Sequence, residues 1–114
     1  MQLKNKTIAI LIADGVEDLE YYVPMMRLQE DGAKVLSAAM DLKPVTGKNG
    51  LIITPTTTIE SLKANDLSAL ILPGGWSPDK IRRYDVVKKL VKEINNANKI
   101  IGIICHGGSI AISA

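Results

Sequence analysis

The stretch Lys99-Ile-Ile-Gly-Ile-Ile-Cys-His-Gly-Gly108 runs from an apolar segment of strand length straight into a glycine-rich turn. A continuous apolar run of this kind fits a strand covered on both faces. Ser109 to Ala114 then begins a helix. The corner so formed is strand, turn, helix, with Cys105 at its apex.

Working outward, the same grammar repeats. Thr7-Ile-Ala-Ile-Leu-Ile-Ala13 is a buried-strand run closed by Asp14-Gly15, and Leu67 to Leu72 is another, ended by Pro73-Gly74-Gly75. Lys34 to Met40 reads as a further apolar strand. Between them, Val16, Leu19, Val23 and Met26 recur at spacings of three and four, which predicts a helix stopped by Gly32 and bent at Pro24. Gly47, Asn49 and Gly50, set between Val45 and Leu51-Ile-Ile53, predict a small hairpin or loop excursion. Thr54 to Asn65 reads as a polar connection with one helical turn around Ile59 to Leu62. Ser77-Pro78-Asp79 predicts a helix start with Ser77 as N-cap, and Val87, Leu90, Val91 and Ile94 form one stripe of a longer helix from Asp85.

Strands alternating with helices predict an α/β fold, a mainly parallel sheet with helices on both faces. The 114 residues allow a single domain over 1–114. The 46% apolar content is ample for a core, and with no Phe that core is aliphatic. Met25, Met26 and Met40 read as core filler. A net charge of +2 is nearly neutral. Lys88, Lys89, Lys92 and Lys99 share their stretch with Asp85 and Glu93, so a solvated helix face is expected and no nucleic-acid partner. One Cys excludes an internal disulfide, and one Cys with one His offers no metal cage; no metal or cofactor is expected. Lys4 and Lys6 before an apolar run resemble a signal peptide, but the run is short and ends at Asp14-Gly15. No run approaches membrane-spanning length, so a cytoplasmic chain with no membrane partner is the expectation.

In parallel sheets, ligands gather at the carboxyl ends of the strands. Three such ends carry unusual chemistry here: Asp14 to Glu17, Pro73-Gly74-Gly75 and Cys105-His106-Gly107. They are expected to converge. A thiol at a helix start faces unpaired N–H groups and the positive dipole end, which favour negative charge on sulfur. The alternative is an inert buried cysteine. The nucleophile-elbow pattern is half matched: Gly107 is small, two residues after Cys105, whereas Ile103 before it is not. His106, the sole imidazole, is a candidate base or a structural turn residue, and its N–H is a candidate oxyanion donor. Gly75 is the candidate second donor, with an ordinary tight turn as the alternative. Trp76 flanks the pocket or an interface. Asp14 and Glu17 have capping-box spacing, which makes both structural, and spacing alone favours that reading over Glu17 reaching the sulfur.

Taken in order, Ala13-Asp-Gly-Val-Glu17-Asp-Leu-Glu20, Pro24, Arg27-Leu28, Leu72-Pro-Gly-Gly75, Pro78-Asp79 and Ile104-Cys-His-Gly107 resemble the ThiJ/PfpI family of the class I glutamine amidotransferase-like superfamily. The resemblance implies a flavodoxin-like (Rossmann-like) three-layer sandwich with Cys105 as nucleophile and His106 beside it. It implies that Glu17 hydrogen-bonds the thiol, that the Gly75 and His106 amides form the oxyanion hole, and that Gly74, Trp76 and Gly107 frame the pocket. It places an acidic residue, here Asp79, at the position from which a neighbouring subunit orients the His. It further implies homo-oligomers and peptidase, amidase, or glyoxalase and deglycase activity on peptides or small molecules. Family chains continue past the elbow helix, so this one is expected to lack the C-terminal elements, as a fragment or with partners supplying the cover. Three readings follow: a cysteine-dependent hydrolase of peptide, amide or dicarbonyl-adduct bonds, a redox or stress-response protein oxidised at Cys105, and a catalytically silent fragment.

Overall fold

The computed structural model describes residues 1–114. In chain order the elements are β1 (Thr7–Leu11), α1 (Asp18–Glu30), β2 (Lys34–Ala39), β3 (Val45–Thr46), β4 (Ile52–Ile53), β5 (Thr57–Thr58) and a 3₁₀ turn Ala64–Asp66. Then follow β6 (Ala69–Leu72), α2 (Ser77–Ile81), α3 (Asp85–Asn96), β7 (Ile100–Ile103), a 3₁₀ turn Cys105–Gly107 and α4 (Gly108–Ser113).

The alternation of side chains along β1 builds the layers. Ala9 and Leu11 face one side, where Leu70, Leu72, Ile81, Val87, Leu90, Val91, Ile94 and Ile110 join them. Ile10 and Ile12 face the other, with Val16, Tyr21, Val45 and Ile53. Both faces of the strand are buried, which is why its sequence reads as an unbroken apolar run. All pairings in the five-stranded sheet are parallel, and its order is β5-β2-β1-β6-β7. This is the expected Rossmann-like three-layer α/β arrangement. Consecutive strands step outward in one direction from β1 to β5 and in the other from β6 to β7. The direction of winding therefore reverses between β1 and β6, where clefts open at the strand ends.

Several local expectations need correction. The stripe Leu19, Val23, Met26 is exposed at 67%, 59% and 60%. The face of α1 that packs inward is Asp18, Tyr21, Tyr22, Met25 and Leu28, because the β3–β4 hairpin and the sheet lie on that side. The connection after Thr54 contains an edge strand, β5, that pairs with β2 through Ala38 and Ala39. Ser77 is not an N-cap. Trp76 holds that position without a side-chain bond, and the Ser77 hydroxyl points inward, buried and unpartnered. The left-handed turn at Gly75 (φ +78°) starts the helix early and turns that side chain to the core. The hairpin is as expected, with Val45 opposite Ile53 and Thr46 opposite Ile52. None of the helices is long and apolar enough to cross a membrane.

Candidate active site

Cys105 leaves β7 with φ +52°, in the left-handed region. That conformation costs a non-glycine residue roughly 1–2 kcal/mol, so the surrounding turn has to impose it. Gly107 is what permits the turn to close: a Cβ there would overlap the Leu72 carbonyl oxygen. Ile104 N–H donates to that same oxygen at 3.1 Å, locking the corner to the end of β6. The sulfur-bearing side chain is exposed at the sheet's carboxyl edge, not sealed in the core.

A second junction brings the other two strand ends alongside. Val16 and Gly75 form an isolated antiparallel bridge, with Glu17 N–H on the Gly74 carbonyl at 3.2 Å and Trp76 N–H on that of Gly15 at 2.8 Å. Gly75 sits at φ +78°, and any Cβ would overlap Gly15 and Glu17 backbone, so both space and conformation require glycine. Gly74 lies between the acidic helix and the thiol: a Cβ on it would come within 2.7 Å of Glu20 Oε1 and 3.1 Å of the Cys105 Cβ and the His106 nitrogen. The expected convergence is therefore present. Glu17, Glu20, Lys48, Gly75, Trp76, Asp79, Cys105 and His106 line one cavity of about 320 Å³. The N–H groups of Gly75 and His106 donate to no acceptor in the protein, although most of their neighbours do.

Glu17 takes the structural, capping role that its spacing favoured. Glu17 is itself the N-cap of α1: its Oε2 accepts from the Leu19 and Glu20 amides at 3.0 and 3.1 Å, and its Oε1 from Asn49 Nδ2 at 2.9 Å. It borders the cavity, but both oxygens are already engaged. Asp14 is no part of a capping box, because its Oδ1 accepts from the Thr46 amide of the hairpin at 2.9 Å. Glu20, one turn further along α1, accepts from the Gly74 amide at 2.8 Å and brings its carboxylate to the wall behind Cys105. Glu20 stood inside the quoted motif without being singled out. The signal that could have found it was its i,i+3 position relative to Glu17, which puts both on the face of the helix turned to the strand ends.

Asp79 borders the cavity of its own chain, is 77% exposed and lies 3.7 Å from Arg82. Trp76 is 58% exposed and carries Lys48 Nζ at 5.3 Å from its ring centroid. Lys48 and Asn49, read in the sequence only as hairpin residues, are brought to this rim by the β3–β4 turn. No group of three or more His, Cys, Asp or Glu side chains is placed to hold a metal ion. A larger groove of about 670 Å³ lies between residues 59–65 and α3. Neither Cys105 nor His106 lines it.

A model of the DJ-1/PfpI family matches residues 6–114. The chain belongs to this family. A deglycase of Pyrococcus abyssi is 36% identical over 107 residues, covering 94% of this chain and 64% of that protein. YraA of Bacillus subtilis, named as a candidate cysteine protease, is 36% identical over 109 residues, 95% of this chain and 64% of that one. The chain thus spans about 64% of the length of these DJ-1/PfpI relatives. Among solved structures, a two-domain protein of Anabaena variabilis with DJ-1/ThiJ/PfpI-like and ferritin-like domains superposes with a TM-score of 0.92 at 32% identity, over 95% of this chain and 32% of that one. A DJ-1 superfamily protein from Agrobacterium tumefaciens gives 0.81 at 31%, over 93% and 56%.

Proposed function

We propose that Cys105 is the nucleophile of a hydrolase that acts on dicarbonyl adducts, amides or peptides, with adducts and other small carbonyl substrates preferred. The observation that carries this reading is the elbow itself: an exposed thiol held at φ +52° on a cavity also lined by Gly75 and His106, whose amides have no acceptor in the protein. A cavity of about 320 Å³ is at the small end for ligand sites and suits one adducted side chain better than a folded polypeptide. Relatives named as deglycases support the same preference.

In this reading the sulfur gives its proton to the His106 imidazole and adds to the substrate carbonyl carbon. The oxygen takes the electron pair and is held by the Gly75 and His106 amides. The C–N bond then breaks, the nitrogen leaving with the proton returned by His106, and water hydrolyses the thioester to regenerate the thiol. In a hemiaminal adduct the carbon bonded to nitrogen is a carbinol: sulfur displaces the amine there, the proton reaching nitrogen from His106, and water then frees the thiol and releases the dicarbonyl as its hydrate, with net uptake of one water. Glu20 holds Gly74, and with it the wall behind the sulfur.

A second copy of the chain belongs to the same proposal. Leu19, Val23 and Met26 supply an exposed apolar strip along α1 suited to it, and Asp79 on the rim is then open to the His of a neighbour. The test of the reaction is release of free amine from a methylglyoxal-adducted amino acid, run beside a fluorogenic peptide. Turnover of either substrate that is lost in Cys105→Ala supports the proposal. Turnover that survives Cys105→Ala, or absence of turnover with both substrates, overturns it.

A further inference from the structure

Three carboxylates and one ammonium border the cavity, and they are not equivalent. Glu17 is engaged by two amides and Asn49, Glu20 by the Gly74 amide, and Asp79 faces Arg82. Lys48 makes no ion pair and no side-chain hydrogen bond; its Nζ rests only over the Trp76 ring. Among the charged side chains of this cavity, Lys48 is therefore the one with neither a hydrogen bond nor an ion pair.

The lysine is also delivered to a fixed place. Its backbone N–H donates to the Val16 carbonyl at 2.8 Å, and Gly15 N–H donates to the Thr46 carbonyl at 2.8 Å. The buried carboxylate of Asp18 accepts from the Asn49 and Leu51 amides at 3.0 and 3.1 Å, straddling the turn that carries Lys48. Gly47 has no room for a Cβ because Asp18 fills that space. Such a clamped turn has little backbone entropy left to lose when its side chain engages a ligand.

We propose that Lys48 is the specificity residue of this site, recognising a carboxylate on the substrate close to the carbon that Cys105 attacks, with Asp18 as its positioning residue. The inference rests on Cys105 being the reactive group of the proposed hydrolase, and it names the substrate class as carboxylate-bearing carbonyl compounds or adducts.

The test uses two probes that differ only in charge. Iodoacetate and iodoacetamide each form one S–CH₂ bond to the sole thiol and release iodide. Dividing the two rate constants, followed by intact mass on the full chain, cancels the intrinsic reactivity of the sulfur. In wild type the iodoacetate/iodoacetamide ratio should exceed that of the uncharged reference thiol N-acetylcysteine amide. Lys48→Met should lower it about fivefold, as expected for one charge pair at roughly 5 Å in a wet site, while Lys48→Arg holds it within about twofold. About 0.5 M salt should bring the wild-type ratio toward that of Lys48→Met. Lys48 is exposed, so folding is not at stake, and far-UV circular dichroism checks it. A ratio unchanged by Lys48→Met overturns the assignment. Lost turnover with the ratio intact sinks the reaction but not Lys48, whereas an indifferent ratio with turnover intact does the reverse.

Discussion

Removing the Glu20 carboxylate separates two things the structure gives it to do. Its Oε1 accepts from the buried Gly74 amide at 2.8 Å, and that amide belongs to the turn which also carries the candidate oxyanion donor of Gly75. Glu20→Ala leaves the amide without a partner, a loss of about 2 kcal/mol for a partly buried bond to a charged acceptor. For a domain of this size that lowers Tm by about 8 °C. Glu20→Gln keeps an oxygen at the same reach and should cost less than about 1 kcal/mol. Calorimetry at fixed protein concentration should therefore order the three as wild type, Gln, Ala. Turnover should not follow that order. If the carboxylate serves the sulfur, both variants lose on the order of 10²-fold in kcat, and Gln does so while remaining nearly as stable as wild type. A Glu20→Ala protein melting within about 2 °C of wild type would refute the structural half of this reasoning. A Gln variant with unchanged kcat would refute the catalytic half.

Two further outcomes follow from other parts of the molecule. Burial raises the Tyr21 phenol above its ordinary value of 10.0, with the Ser37 hydrogen bond opposing it in part and the neighbouring Tyr22 adding to the rise. Above pH 10 the unfolded chain gives up this proton before the folded one does, so stability held in full below that pH falls as pH rises, by at most about 1.4 kcal/mol per pH unit. Denaturant titrations of wild type and Tyr21→Phe from pH 8 to 11 should differ in slope only in the alkaline part. Equal slopes there would be the contrary result, and the missing 2.6 Å bond to Ser37 should cost about 1 kcal/mol throughout. Leu19→Glu with Met26→Glu should shift sedimentation velocity toward a smaller species without changing Tm appreciably; an unaltered distribution would exclude α1 as the contact between copies.

The strands were legible because burial on both faces leaves an unmistakable run of apolar residues, as at Thr7–Ala13 and Leu67–Leu72. Their order in the sheet was not, since nothing in a run says which neighbour it pairs with. β5 escaped notice for a related reason. Two threonines, half-buried at the edge, make only the parallel pairing of Thr57 and Thr58 with β2 and leave no apolar signature. The sequence does not mark the inward face of α1 because apolar residues stand on both sides of the helix: Leu19, Val23 and Met26 point outward while Tyr21, Met25 and Leu28 point in. A periodic stripe marks a core only when the opposite side is polar.

At the site, the residues whose role depends on the backbone were the most legible. Gly75 and Gly107 are forced by close approach, and glycine before a helix is visible in any sequence. The carboxylates were not, because several acids stand within one turn of α1 and only their hydrogen-bond partners tell them apart. Glu17 faces two amides of its own helix, Asp18 faces the hairpin, and Glu20 faces Gly74. Each partner but the first is supplied by a segment more than 30 residues away, so the assignment is a tertiary fact. That also explains why the hairpin mattered more than its short strands suggested. It closes over the start of α1, takes up Asp14, Asp18 and Glu17, and in doing so sets Lys48 on the rim of the cavity. The proposed selecting charge is thus held by the same acidic residues that fix the turn carrying it, so Asp18→Asn should lower the iodoacetate/iodoacetamide ratio before it slows alkylation by iodoacetamide itself.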